Sequence, residues 1–596
     1  MPLYEGRHNA SNKIQISQDA KNAIVMGEKN CICRMAKEIL GAEGAVALDG
    51  WYGVDFAEIL DKLKELCPEV EFIPAQSMYL PMEKIREYKK EYITEDPSFG
   101  YCNREGKISD LMDPEKIQDL KNRLGKGTVV YGYGAAVPEL YDSYARTYYF
   151  DMTRQPLLWS MWDGKLIPFA LDQPDPQYDW KEYYYCDYYL LHFQKHFIIE
   201  KMDYYVEAVK TEELKILPKA AYDEVIRTML KYPVKEVEIY QPGPWGAYRY
   251  KDFWDIPGLE CNAWNELAGP ELSILIDVGR EEQLNLPFVN LMQYPDKLLG
   301  RYLSETYPHL FPLDAWLDDG YFPDKQPAER ISMPIHTHPS TDYVKTNFNE
   351  PIGRYETYYI AEAYEGANTW MGFYNDADLE EWEAKCRKSN NQEVIEDWKD
   401  YVCNWESNVG DLYLIPPGTD HGHGGNQMVL ELDTCPSIAG TEYSFFSYDF
   451  ARNSWDDKTK TMTGKPLKMQ LDHSFRVSKY RREDYVDKKL RAKPSVVKWT
   501  REYYIDRYSS VPEMPFEIER IHYQNKGEYD TQGKYCHIIT LTAGKNARIY
   551  SKKNPEYSTQ INLYQAAVIP ADFGEYVIES EGDGRHTATL VRWKKG

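Results

Sequence analysis

The chain has 596 residues, 43% of them hydrophobic and 28% charged, with a formal net charge of −25. That length holds several domains, each able to bury its own core, and no stretch approaches the ~18 apolar residues of a membrane span. So acidic a surface repels polyphosphates, which argues against nucleic acid and anionic membranes as partners and leaves small molecules; an anionic substrate would need a local cluster of Arg or Lys. The ten cysteines form no CxxC pair, and the opening MPLYEGRHNASNK has no apolar h-region, so the expectation is a reduced, cytoplasmic chain. The 51 tyrosines read mainly as half-buried sheet surface.

In chain order, the first third alternates strand and helix. Ala45–Asp49 (AVALD) is a short apolar strand, Gly50 and Gly53 break it, and Asp55–Leu66 places Phe56, Ile59, Leu60, Leu63 and Leu66 on one helical stripe. Further strands follow at Thr128–Tyr131 and Thr147–Asp151. This alternation predicts an α/β unit with a parallel sheet over residues 1–232. Residues 211–232 read as two helices broken at Pro218. From 233 the pattern changes to short alternating runs between Pro and Gly: VKEVEIY, SILIDVG, YETYYIAEAY, DLYLIPPG and QMVLELDT. These predict antiparallel β structure over 233–480, with helical insertions near 294–316 and 376–402. A polar stretch, 478–500, reads as a linker to a second β region, 481–596, containing FEIERIHYQ, YCHIITLTAG, ARIYS and QAAVIPADFGEYVIES. IPPGTDHG at 415–422 and IPADFGEY at 569–576 both follow a strand and turn at a proline, which suggests two copies of one barrel.

The chemistry is concentrated in GDLYLIPPGTDH at 410–421. Pro416 ends a strand because it lacks the N–H, Gly418 allows a tight turn, and the return strand carries His421 inward. The spacing G-x5-P-x-G-x2-H resembles the second motif of cupin barrels. Upstream, His336-Thr337-His338 puts two imidazoles on one face of a strand, and Glu356 in YETYYI is the matching carboxylate. Three His and one Glu suit zinc, with manganese, iron and cobalt as alternatives. His423 is open between a supporting residue, a proton carrier and a turn residue. The second β region lacks the histidine and reads as metal-free.

Residues 233–596 resemble the class I mannose-6-phosphate isomerases, zinc enzymes built from cupin domains. The resemblance rests on Trp245-Gly246-Ala247, the run His336 to Tyr343, GRYETYYI at 353–360, GTDHGHG at 418–424, LELD at 430–433, Tyr448-Asp449-Phe450-Ala451-Arg452 and Gly464-Lys465-Pro466. It implies His336, His338, Glu356 and His421 as metal ligands, with His336 standing where the family has Gln. It implies Arg354, Glu431 and His423 as catalytic residues, and Tyr343, Arg452 and Lys465 as substrate-facing ones. Arg354 replaces a family Lys, and Phe446 stands where the family has an Arg that would face substrate. The N-terminal part resembles a uridine-kinase-type P-loop domain, with LDGWYGVDF at the phosphate-loop position and TYYFDMTR as a later strand. No Gly-Lys-Ser/Thr follows Gly53, so that domain reads as non-catalytic, the alternative being an unrelated doubly wound domain.

The functional expectation is therefore an aldose–ketose isomerase acting on a sugar or sugar phosphate through a cis-enediol, its oligomeric state left open. Two alternatives stand beside it: a sugar- or nucleotide-sensing cupin protein, and a metal-dependent dioxygenase.

Overall fold

The computed structural model describes residues 3–243, 246–259, 261–320, 333–449, 455–456, 461–462, 467–582 and 584–594. The chain divides into two units, one comprising Ser11–Met229 and Ser273–Gln293, the other Leu3–Ala10, Leu230–Leu272 and Tyr294–Gly596.

The first unit is built on a seven-stranded sheet. Its strands are β1 (Val25–Met26), β2 (Ala45–Gly50), β3 (Glu71–Pro74), β4 (Thr128–Tyr131), β5 (Tyr144–Asp151), β6 (Tyr204–Glu207) and β7 (Lys215–Pro218), in the order β1-β7-β6-β5-β2-β4-β3. The five strands β2 to β6 run parallel, and β7 and β1 close one edge antiparallel. β2 is buried at every position, as a strand covered on both faces must be. The helix α1 (Phe56–Leu66) starts where the Asp55 carboxylate accepts from Glu58 N, and it buries Phe56, Ile59, Leu60 and Leu63. Residues 211–232 differ from the two helices their pattern predicts: β7 precedes a single helix, Lys219–Met229. The strand's three residues ahead of Pro218 are too few to nucleate a helix, whereas as a strand the segment pairs on both sides. Ser273–Asp277 also departs from its neighbours in sequence, pairing with Leu284–Pro287 and Ser11–Lys13 in this first unit.

A buried polar cluster holds the loop after β2. Asp187 Oδ2 accepts from Tyr52 OH at 2.9 Å, Tyr178 OH at 2.6 Å and Lys89 Nζ at 2.8 Å, and Lys89 also pairs with Glu182 at 3.0 Å.

The second unit contains two barrels with the same strand order. The strands of the first are β8 (Glu238–Gln241), β9 (Trp264–Ala268), β10 (Asp314–Asp319), β11 (Ile335–Thr337), β12 (Glu356–Ala363), β13 (Asn368–Phe373), β14 (Val402–Glu406), β15 (Leu412–Ile415), β16 (His421–His423), β17 (Gln427–Asp433) and β18 (Phe445–Tyr448). Its larger sheet contains the order β8-β9-β10-β17-β12-β15, and its smaller sheet is β14-β13-β16-β11-β18. The second barrel has β19 (Pro494–Trp499), β20 (Tyr503–Tyr508), β21 (Phe516–Tyr523), β22 (Lys526–Asp530), β23 (His537–Ala543), β24 (Asn546–Ser551), β25 (Ser558–Asn562), β26 (Ala566–Ile569), β27 (Glu575–Glu579) and β28 (His586–Trp593). Its sheets run β19-β20-β21-β28-β23-β26 and β25-β24-β27-β22, which repeats the first barrel strand for strand apart from β18. The stretch 478–500, read as a linker, contains β19. Among the described residues no helix is long and apolar enough to cross a membrane, and the ten cysteines are free.

Replacing Lys89 with Met leaves the Asp187 carboxylate buried without its cation. This should lower stability by about 3–5 kcal/mol in urea denaturation, the range for breaking one side of a buried pair.

Candidate metal centre

The GDLYLIPPGTDH hairpin places His421 through backbone geometry that its sequence enforces. β15 ends at Pro416, and Gly418 turns with φ +81°, where a Cβ would meet Val477 O at 2.6 Å. Thr419 Oγ1 donates to Pro416 O at 2.6 Å, and Gly418 N donates to His338 O at 2.9 Å, so the turn is tied to the strand end carrying another ligand candidate. His336 on β11 lies opposite His421 on β16. Glu356 opens β12 opposite Ile415, the residue before the proline turn.

His336, His338, Glu356 and His421 are all buried, and one potential ligand atom from each lies within 4.8 Å of the others. The imidazole tautomers follow from their partners. His336 Nδ1 meets Pro334 O at 2.9 Å, His338 Nδ1 meets Tyr443 O at 3.3 Å, and His421 Nδ1 meets Thr419 O at 2.8 Å. A carbonyl oxygen only accepts, so each Nδ1 carries the proton and each Nε2 presents a lone pair. Burial holds His336 well below, and His338 below, the ordinary imidazole range, which favours the neutral rings. Nε2 of His338 and of His421 then stand 2.8 and 2.7 Å from Glu356 Oε2, lone pair against carboxylate. Those three atoms are buried without a hydrogen-bond partner. Such convergence is repulsive unless a cation lies between the groups, and three imidazoles with a carboxylate form a donor set that zinc, iron, manganese or cobalt accepts. The residues fit a divalent transition metal.

Behind Glu356 lies a buried network that the sequence reading captured only in part. Arg354 Nη2 donates to Asp433 Oδ2 at 2.8 Å, reaches Glu431 Oε2 at 3.4 Å and stands 3.9 Å from Glu356 Oε1. Asp314 lies 3.8 Å from Arg354 Nη1. The Glu431 carboxyl hydrogen bonds with Asp318, whose Oδ2 is 3.4 Å from His423 Nε2. Burial, with Asp318, Glu356 and Asp433 nearby, holds Glu431 well above the usual carboxylate range. Arg354 and Glu431 thus meet in one network, and His423, its Nδ1 on Gly424 O at 3.0 Å, lies beside Asp318. Asp314, Asp318 and Asp433 were not singled out from sequence; the signal was the period-two phase in DAWLDD and LELD, which puts them on the same inner face as Trp316 and Glu431.

Tyr343 lies on the helix Thr341–Phe348, and its hydroxyl meets His473 Nδ1 at 2.7 Å. The Phe446 ring is 5.5 Å from that of His336, an apolar wall beside the imidazole. Trp245, Arg452 and Lys465 lie outside the described residues.

Comparison with known proteins gives weak similarity. Residues 29–231 match a family model described as "Domain of unknown function (DUF8485)". The Bacillus subtilis (strain 168) protein named "Probable mannose-6-phosphate isomerase GmuF" is 23% identical over 164 residues, 27% of this chain and 49% of that protein. A mannose-6-phosphate isomerase of Streptococcus mutans is 26% identical over 212 residues, 34% of this chain and 57% of that protein. The chain therefore spans about half the length of the curated relatives it matches. Among solved structures, the Bacillus subtilis mannose 6-phosphate isomerase aligns with TM-score 0.45 at 16% identity, over 61% of this chain and 99% of that one. A point mutant of the Salmonella typhimurium phosphomannose isomerase aligns with TM-score 0.43 at 11% identity, over 61% and 100%.

Purified from metal-replete medium, the chain should carry one equivalent of a transition metal by elemental analysis, and His421→Ala should remove it. Chelation of the wild type should lower its melting temperature, because a ligand bound only to the folded state stabilises it.

Proposed function

We propose that the chain is a metal-dependent aldose–ketose isomerase of the mannose-6-phosphate isomerase type, acting on a sugar or sugar phosphate through a cis-enediol. The observation that carries the reading is the His–His–Glu–His cluster with the buried Glu431 and Asp433 carboxyls, both reached by Arg354, beside its Glu356. The names of the two curated relatives support it. The resemblance in GRYETYYI, GTDHGHG and LELD falls on the strands that build this cluster.

His336, His338, Glu356 and His421 would hold the ion, zinc first among the candidates. When bound, it supplies a Lewis acid that polarises the substrate's carbonyl or hydroxyl oxygen. Glu431 is the residue to move the proton between C1 and C2, since a carboxyl tuned upward exchanges protons near neutral pH better than an ordinary one. The Asp318 carboxyl orients Glu431, and His423, whose Nε2 lies 3.4 Å from Asp318, stands beside them. Arg354 holds the Glu431 and Asp433 carboxylates in place and contributes positive charge where the enediolate develops. Tyr343, Arg452 and Lys465 are assigned to the substrate's distal end by resemblance.

The domain reading that accompanies this function has residues 233–480 as the catalytic cupin barrel and 481–596 as its metal-free copy. Residues 1–232 are read as a kinase-like domain without catalysis. The phosphate-loop position supports that last assignment: Tyr52 is fully buried there, its hydroxyl donating to Asp187 and accepting from Phe169 N at 2.9 Å. At the ends of the parallel strands, Asp49 accepts from Gly134 N, Ala136 N and Gln194, while Asp151 is bonded by Lys195, Tyr205 and Asn290.

The decisive experiment is proton NMR in deuterium oxide with aldoses, ketoses and their 6-phosphates. Metal-dependent exchange or interconversion is expected with at least one of them, lost in Glu356→Ala and His421→Ala. Silence across the panel with metal bound would overturn the reading in favour of a sugar-sensing protein. Glu431→Gln should retain metal and lose about 10²–10⁴ in kcat, the usual worth of a general acid–base group.

Phe446→Arg should raise affinity for a phosphorylated over a free sugar roughly ten- to hundredfold, which is the worth of one charge-assisted contact. For the first unit, the purified full chain should release no phosphate from ATP. Turnover that survives purification and vanishes in Asp49→Asn would reverse that assignment.

A further inference from the structure

The two barrels differ at one edge. The order β8-β9-β10-β17-β12-β15 of the first matches β19-β20-β21-β28-β23-β26 of the second, so β8 and β19 are equivalent strands. β8 is covered: the strand Tyr4–Gly6, from a distant part of the chain, adds to it antiparallel, with Tyr4 opposite Tyr240, Glu5 opposite Ile239 and Gly6 opposite Glu238. Under that cover Glu238, Ile239 and Tyr240 are buried. β19 pairs with β20 on one side, and on its other side no strand stands among the described residues. Each of its six residues, Pro494–Trp499, is exposed.

An uncovered edge presents a row of main-chain donors and acceptors, and sequences blunt it with charge, proline or a bulge. β19 has Lys498, Pro494 and a bulge at Val497, which the ladder with β20 skips. It also carries apolar side chains that a blunted edge has no use for. Val496, Val497 and Trp499 are 59%, 47% and 72% exposed. Trp499 is the most exposed large hydrophobic residue described, and no other stretch of four described residues holds two of that kind. Trp499 lies opposite Tyr504, whose ring stacks on His522 and has the Arg585 guanidinium 5.8 Å from its centre.

The charge here is the reverse of the chain's. Residues 488–501, KKLRAKPSVVKWTR, hold six Lys or Arg and no acid, in a chain of net charge −25. Two of the six are matched, Lys488 by Asp484 and Arg491 by Asp487, each at 2.7 Å. Lys489, Lys493, Lys498 and Arg501 are exposed, with no acidic partner among the described residues, and Lys498 lies 5.0 Å over the Tyr503 ring. A second copy added edge to edge would set these cations against their own kind, which is destabilising. An acidic strand would instead gain attraction along its length, main-chain partners at the edge and apolar contact with Val496 and Trp499. Cations that oppose self-pairing and attract an acidic partner are one device with two effects.

We propose that β19 is a docking strand for an acidic, extended peptide segment of a partner protein, which adds along the uncovered edge as Tyr4–Gly6 adds to β8. The segment's main chain bonds to the edge N–H and C=O groups. Pro494 has no N–H to offer, so the pairing runs over Ser495–Trp499. The segment's carboxylates face Lys493, Lys498 and Arg501, and its apolar side chains lie against Val496 and Trp499. No covalent bond is made, and no residue of the metal centre takes part.

The test is fluorescence anisotropy of a labelled, end-blocked peptide of alternating Glu and Val, titrated with the full chain at low ionic strength. The expected result is saturation at one peptide per chain, with affinity falling as salt is added. Lys498→Glu should weaken binding about tenfold or more, the loss of one charge-assisted contact, and Trp499→Ser should weaken it as well. Both positions are exposed, so circular dichroism should be unchanged. The same peptide with Lys in place of Glu should not bind. Of two Glu peptides N-methylated at the odd or at the even positions, at least one should lose binding, because edge addition uses alternate N–H groups. The proposal is overturned by an absence of saturable binding, by equal binding of the Lys peptide, or by indifference to Lys498→Glu and Trp499→Ser together. Full binding of both methylated peptides overturns it too, since charge alone would then be recognised. A dimer in sedimentation velocity that Trp499→Ser dissociates would give the strand to a second copy and likewise overturn it.

Discussion

The interior of the first barrel is governed by the cost of sealing carboxylates away from water. Asp314, Asp318, Glu356, Glu431 and Asp433 are nearly inaccessible, and among the described residues Asp314, Glu356, Glu431 and Asp433 share the cation Arg354. Each uncompensated buried charge costs several kcal/mol even after relaxation. The structure offers three ways out, and each falls on a different residue. Asp433 pairs with Arg354 at 2.8 Å, although burial still holds its carboxyl above the usual range. Glu431 is driven toward its protonated form and hydrogen bonds with Asp318. Glu356 faces two imidazole lone pairs, an arrangement that only a cation makes favourable. The cation-seeking cluster and the raised Glu431 carboxyl are therefore two consequences of one electrostatic constraint, not separate features placed side by side.

That constraint also explains the rigidity around the cluster. Every imidazole has its Nδ1 spent on a backbone carbonyl, so ring orientation is set by β11, β16 and the turns that flank them. The hydrogen bond from Gly418 N to His338 O joins the two ligand-bearing segments directly. Gly418 leaves no room for a side chain there, since Val477 O and Lys479 crowd the position. The placement of the ligand candidates thus depends on a turn glycine that touches none of their ligand atoms.

The parts of this architecture that were legible in sequence are those written locally. The proline–glycine turn before His421, the i, i+2 pair His336 and His338, and the uninterrupted apolar run of β2 each reflect a constraint acting within a few residues. Pairings between distant segments were not legible. Ser273–Asp277 has the same alternating pattern as strands of the second unit, and nothing in SILID specifies that its partner is Ser11–Lys13. Lys215–Pro218 has a helical-looking neighbourhood, and only its edges in the sheet make it a strand. The aspartates behind Glu356 come from β10 and β17, more than a hundred residues apart, so their convergence is a property of register alone.

Register also accounts for how one barrel plan supports two chemistries. Side chains alternate strictly between the faces of a strand, so a duplicated pairing pattern returns the same set of inward positions. What stands at those positions is free to change, provided the interior charge still balances. The first barrel places an excess of carboxylates there, with Arg354 as the cation that Asp314, Glu356, Glu431 and Asp433 share. The second places arginine opposite glutamate at the position where the first has aspartate opposite aspartate, and that pair balances its own charge. Burial and the neighbouring Arg592 pull His537 down to about 3, so that imidazole stands neutral where Glu356 stands in the first barrel. A lone neutral imidazole beside two phenols is too poor a donor set to hold a transition metal in competition with water. The exchange of a few inward side chains on a fixed register is enough to turn a cation-seeking interior into one whose charges pair among themselves.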